Sequence, residues 1–147
     1  MNSMMLSPGN RYLFDTTVFI DERHSKSVAR QLISDARTLR LDVGYSIITE
    51  AELWVGIRAS NLRTEAEHKI LLAPFRRFNL NVSIARRAGE LRGKLVETKQ
   101  VERNQPPYLN DCLVAATAEF YGLTICTKNR KDFELFRQYN ISVLPYS

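Results

Sequence analysis

Short apolar runs that alternate with helix-type segments constrain this chain more than any other feature of its sequence. YLF (12–14) stops at Asp15 and is followed by DTTVFIDE; VGYSII (43–48) passes into TEAELWVGIRAS (49–60); LTICT (123–127) is followed by DFELFRQY (132–139). FNLNVS (78–83) alternates like a strand, and ISVL (141–144) reads as a last one. Between them, SKSVARQLISDARTLR (25–40) sets Val28, Leu32, Ile33, Ala36 and Leu39 at helical spacing. Residues 64–77 continue helical, interrupted by Pro74. Residues 84–99 carry Ile84, Ala88, Leu91 and Leu95 on one stripe, and residues 111–122 form a small-residue helix closed by Gly122 as a C-terminal cap. Strands alternating with helices predict an α/β fold around a mostly parallel sheet.

The chain has 147 residues, enough for one domain with its own core and too few for two. No internal repeat or linker divides it, so residues 1–10 are expected to be a disordered leader and 11–147 one domain. No apolar run approaches the roughly 20 residues that span a bilayer. The start lacks the charged-then-apolar pattern of a signal peptide, so a cytoplasmic protein without a membrane partner is expected. Cys112 and Cys126 form no CxxC pair and sit among apolar residues, as buried structural thiols do. His24 and His68 are isolated from each other and read as surface residues, not zinc ligands. In the second helix-type segment, Leu53, Trp54, Gly56 and Ile57 are expected to face the interior. The net charge of +5 favours a polyanionic partner, nucleic acid or an acidic protein.

The acids carry the chemistry. In open parallel sheets, sites form outside the carboxyl ends of the strands. Asp15 directly follows the first strand, Glu52 lies in the first turn after the second, Asp132 lies just beyond LTICT, and Asp111 opens a helix at the same rim. Each also has a purely structural reading. Asp15, Asp111 and Asp132 fit helix starts, and Thr49-Glu50-Ala51-Glu52 matches the capping box, which would turn Glu52 back on Thr49. Carboxylates gathered together repel one another unless a cation neutralises them. An all-oxygen set favours Mg²⁺, with Mn²⁺ as a substitute, over zinc or copper.

LFDTTVFID (13–21), IITEAELWVGI (47–57), NDCLVAATAEFYGL (110–123) and TKNRKDF (127–133), in that order, resemble the four signature blocks of PIN-domain ribonucleases, and most closely the VapC-type toxins of toxin–antitoxin pairs. The resemblance covers residues 12–147. It implies a three-layer α/β/α architecture with a mostly parallel sheet of four to five strands, and Mg²⁺-dependent hydrolysis of RNA phosphodiester bonds. Asp15 and Asp111 match the family's first and third acids. The second block reads roughly I-T-x-x-E-L-x-x-G, so Glu52 and not Glu50 is its acid. The implied metal ligands are Asp15, Asp111 and Glu52. In the fourth block Thr127 matches a hydroxyl position, and Asn129 stands where many relatives carry aspartate, which leaves Asp132 as that block's carboxylate. Thr17 matches a small polar position that touches phosphate or water.

Lys128, Arg130 and Lys131 flank the fourth block as candidate phosphate contacts; Arg86 and Arg87, with Arg92, Lys94, Lys99 and Arg103, are candidates for a wider basic face. The resemblance also implies a homodimer and a small cognate antitoxin, with RNA as substrate. Two other readings stay open at this point: a PIN-fold nuclease of RNA processing that is not a toxin, and a non-catalytic nucleic-acid-binding module on the same fold. A receiver-type phosphoacceptor fits less well, because YLF ends in one acid where that class needs a pair.

Overall fold

The computed structural model describes residues 5–147. Five strands, β1 (Arg11–Phe14), β2 (Asp42–Ser46), β3 (Arg76–Phe78), β4 (Thr124–Thr127) and β5 (Val143–Pro145), form one sheet in the order β3-β2-β1-β4-β5. All four pairings are parallel, so every carboxyl end lies on one edge. The helices are α1 (Thr16–Arg23), α2 (Ser27–Thr38), α3 (Ile47–Ser60), α4 (Glu65–Leu72), α5 (Val82–Glu97), α6 (Leu109–Tyr121) and α7 (Arg130–Phe133), with a 3-10 turn at Glu134–Tyr139.

Successive strand side chains point to opposite faces. Leu13 and Ile125 therefore join a core with α5, α6, Phe133 and Phe136. Tyr12, Phe14 and Cys126 join a second core with α1, α2, Leu53 and Phe75 on the other face. The sheet lies between two helical layers, which is the expected α/β/α arrangement with a parallel sheet.

The element boundaries differ from expectation where side chains cap helices. Residues 47–48 do not extend β2, because Ser46 Oγ accepts from the Ile48 N–H and starts α3 there. The strand expected at 78–83 is β3 at 76–78, because Asn81 Oδ1 accepts from the Ile84 N–H at 2.8 Å and starts α5. Gly122 closes α6 with a positive φ of 68°, as expected. Cys112 and Cys126 are free and buried, and burial pushes both thiols up to about 12.

Three further expectations change. His68 is buried, with 3% of its surface exposed. Trp54 is 36% exposed: Leu53 and Ile57 fill the inward face of α3, and the indole packs roughly perpendicular to the His68 imidazole, with ring centroids 5.4 Å apart. Of the expected leader, residues 1–4 lie outside the described residues. Leu6 is fully buried, and the Ser7 N–H donates to the Tyr12 hydroxyl at 2.8 Å. Among the described residues, no helix is long and apolar enough to cross a membrane.

Candidate active site at the carboxyl edge of the sheet

Asp15 is the first residue past β1, tied to the sheet by its N–H bond to the Cys126 carbonyl at 2.9 Å. It stands where a helix cap would, yet its side chain makes no cap bond. Its Oδ2 instead accepts from two hydroxyls, Thr17 at 3.0 Å and Thr127 at 2.9 Å. Both hydroxyls are oriented by backbone, since Thr17 Oγ1 accepts from the Lys128 N–H at 3.2 Å and Thr127 Oγ1 from the Asn129 N–H at 3.0 Å. Each hydroxyl has one hydrogen, and the N–H on its lone pair leaves that hydrogen for Asp15. Burial raises the carboxyl pKa above the ordinary 3.8, and the Thr127 and Thr17 bonds oppose the rise.

Glu52 sits on the second turn of α3. The capping-box reading does not hold, because α3 starts two residues before Thr49 and that residue lies inside the helix, fully buried. Glu52 Oε1 accepts from Thr16 Oγ1 at 2.7 Å, and Thr16 lies 2.8 Å from Thr49 Oγ1. Burial raises the Glu52 pKa, the Thr16 bond lowers it, and the charge of Asp15 raises it.

Asp111 is the third residue of α6, not its cap, because the helix starts at Leu109. Its Oδ2 accepts from the Tyr108 N–H at 3.0 Å. Its carboxyl is pushed up to about 6, mainly by burial and further by the charges of Asp15, Glu52 and Asp132; the Tyr108 N–H opposes this. Asp132 lies within the single turn of α7 and accepts from Asn129 Nδ2 at 2.8 Å, so the fourth block supplies an amide–carboxylate pair.

Elements far apart in sequence thus bring the four acids into one field. They stand within Coulombic range of one another but not in a ligand shell: among the described residues, no group of three or more His, Cys, Asp or Glu side chains is close enough to hold an ion as placed. Among the described residues, none of the four forms an ion pair with a basic side chain, whereas Asp21, Asp42, Glu22 and Glu50 each do. Buried and half-buried, mutually repelling carboxylates without a cationic partner are a costly arrangement for a protein alone. A hard divalent cation suits this donor set, and Mg²⁺ needs only one or two carboxylates besides waters.

A family model for the PIN domain matches residues 12–139. The chain belongs to the PIN-domain family. Its fold matches VapBC2 from Rickettsia felis, solved bound to a DNA fragment from their promoter, with a TM-score of 0.74, 20% identity and coverage of 92% of this chain and 98% of that one. It matches a toxin–antitoxin complex from Klebsiella pneumoniae at a TM-score of 0.69 and 27% identity, covering 92% and 98%. DNA-bound VapBC from Salmonella typhimurium gives 0.75 and 20%, covering 94% of this chain and 99% of that one. A search of curated proteins gives no match.

The PIN domain distributes the candidate cations unevenly. Arg130 and Lys131 are exposed beside the fourth block, and among the described residues neither forms an ion pair. Lys128 lies 3.6 Å from Asp21, which also accepts from the Tyr146 hydroxyl at 3.1 Å. Arg87 is not brought to the acids: it forks onto Glu119 at 2.8 and 3.1 Å, eight residues along α6 from Asp111, or about 12 Å at 1.5 Å per residue. Arg86 is exposed on the same helix. Arg92, expected on the basic face, instead donates to the carbonyls of Glu102, Arg103, Gln105 and Pro107, and so clamps the loop that leads into Asp111.

Sequence reasoning missed the structural part played by Thr16, Thr49, Arg92, Asp21 and Tyr146. Only Thr16, next to Asp15, carried a local signal; the others depend on partners distant in the chain.

Proposed function

We propose that this PIN domain is a Mg²⁺-dependent endoribonuclease, with Mn²⁺ as a substitute ion, and the toxin of a VapBC-type toxin–antitoxin pair. The observation that carries the reading is the set of Asp15, Glu52, Asp111 and Asp132 in one field without a basic partner. Asp15, Asp111 and Glu52 would hold the ion. Bound there, Mg²⁺ supplies positive charge to a phosphodiester oxygen and acidifies a water.

The remaining steps belong to the chain's own residues. Thr17 and Thr127 oppose the burial-driven rise in the Asp15 pKa and fix its orientation through Oδ2. Glu52 Oε2, the oxygen not engaged by Thr16, is the one to orient the attacking water and take up its proton. Asn129 and Asp132, bonded to each other, would complete the shell of the site. Lys128, Arg130 and Lys131 meet the RNA phosphates, while Arg87 is engaged by Glu119 and Glu90. The structurally similar complexes from Klebsiella pneumoniae and Salmonella typhimurium support a cognate antitoxin as the partner. A homodimer accords with the outer face of α3, where Val55 is 65% exposed beside Trp54.

The test is cleavage of total RNA with and without Mg²⁺, comparing the parent with Asp15→Asn. A loss of at least about 100-fold is expected, the scale of removing one electrostatic element from a reaction centre. An Asp15→Asn variant that cuts as fast as the parent, or a parent that cuts equally well in chelator, refutes the proposal. Recovery of a small tightly bound protein on purification from the native host supports the toxin reading.

A further inference from the structure

Glu52 is held through a buried pair of threonines, and proton counting gives that pair a direction. Thr16 is 5% exposed and Thr49 fully buried. Thr16 Oγ1 lies 2.7 Å from Glu52 Oε1 and 2.8 Å from Thr49 Oγ1. An ionised carboxylate only accepts, so the single hydrogen of Thr16 goes to Glu52. The hydroxyl of Thr49 must then donate its own hydrogen to Thr16. The pair becomes a relay, Thr49 to Thr16 to Glu52, in which each bond polarises the next. Among the described residues, Thr49 makes no other side-chain hydrogen bond. An aliphatic side chain of the same shape would satisfy packing at this site; the hydroxyl adds only this link.

We infer that Thr49 is a positioning residue for Glu52: acting only through Thr16, it fixes one carboxylate oxygen so that the other faces the metal and the attacking water. The inference rests on the reading of Glu52 as a metal-site carboxylate. It makes a claim about coupling that the four-acid reading does not, because two residues in series have non-additive effects when both are removed.

The test is the Mn²⁺ affinity of the whole protein by calorimetric titration, with kcat and KM for RNA read on the same variants. Thr16→Val removes the direct bond and is expected to weaken Mn²⁺ binding roughly 10- to 100-fold, as loss of an outer-shell partner does. Thr49→Val is expected to weaken it about 2- to 10-fold, the worth of one hydrogen bond. It should lower kcat with little change in KM, and Thr49→Ser should restore both. The Thr16→Val/Thr49→Val double variant should bind Mn²⁺ no worse than Thr16→Val alone. If Thr49→Val binds like the parent, or if the two losses add, the relay is wrong while the metal site stands. If thermal melting shows Thr49→Val destabilised and Mn²⁺ affinity is unmoved, Thr49 is a packing residue and the inference fails. A parent that binds no Mn²⁺ overturns the functional reading and the relay together.

Discussion

Glu50 and Glu52 stand two residues apart on one helix and live in opposite surroundings. Glu50 accepts from the Tyr45 hydroxyl at 3.0 Å and lies 2.7 Å from His68 Nε2, with both partners buried. Glu52 has a hydroxyl for company and feels the charge of another carboxylate, Asp15. Two residues on a helix differ by about 200° around the axis, so the two acids cannot share a neighbourhood. The comparison separates an acid that the protein uses to satisfy its own buried groups from one that it leaves for something else to satisfy.

Two substitutions break the comparison if it is wrong. Glu52→Gln keeps the shape and removes the charge. RNA cleavage should fall by about 100-fold or more, with thermal stability unchanged or raised because a repelled, half-buried charge is gone. Glu50→Ala should do the reverse. It strands the Tyr45 hydroxyl and the His68 ring, at a cost of about 2–3 kcal/mol, and leaves cleavage per folded molecule within a few-fold. Equal losses of activity in the two variants would show that the helix as a whole, not one face of it, serves the site.

The same contrast explains what the sequence disclosed. The alternation of YLF, VGYSII and LTICT with amphipathic segments was enough for an α/β fold with a mostly parallel sheet, because strand period and helix period are local properties. The resemblance to the family's second block singled out Glu52 over Glu50, and the structure gives the two acids different partners. Boundaries were less so: Ser46 and Asn81 moved helix starts by a single side-chain bond each. The supports of the site were least legible. Thr49 matched a capping motif and serves inside the helix instead, and Arg92 looked like one more surface cation until four carbonyls of a loop ten or more residues away surrounded it. Those roles are set by residues brought near only by the finished fold.

Asp111 sharpens the comparison through pH. Its folded pKa of about 6 stands above the ordinary 3.8. Between these values the unfolded chain binds fewer protons than the folded one, so stability falls as pH rises through the window. The penalty is absent below the lower value and full above the upper one. Two units at about 1.4 kcal/mol each, discounted for partial solvent screening, leave about 1–2 kcal/mol. Asp111→Asn keeps an acceptor for the Tyr108 N–H and removes the penalty. The metal-free variant should therefore melt higher than the parent at pH 7.5 and level with it at pH 3.5, and added Mg²⁺ should narrow the gap by stabilising the parent. A variant that melts lower at pH 7.5 would place Asp111 with Glu50, among acids the fold needs charged.

The smallest expected effect concerns the cations, which divide along the same line. Arg87 is held by Glu119 and Glu90, whereas among the described residues Arg130 and Lys131 form no ion pair. A phosphate contact releases counterions, and each one removed lowers the slope of log K against log salt by about 0.7 for a single strand. Binding should be measured on the Asp15→Asn background with a single-stranded RNA. Arg130→Ala with Lys131→Ala should flatten that slope by about 1.4 and weaken binding a few-fold, and Arg87→Ala should leave the slope where it was. If Arg87→Ala flattens it as much, the strand runs along α5 despite the ion pairs there, and Arg86 returns as its neighbour in contact; if neither variant moves it, the phosphates are gripped by groups other than those beside the fourth block.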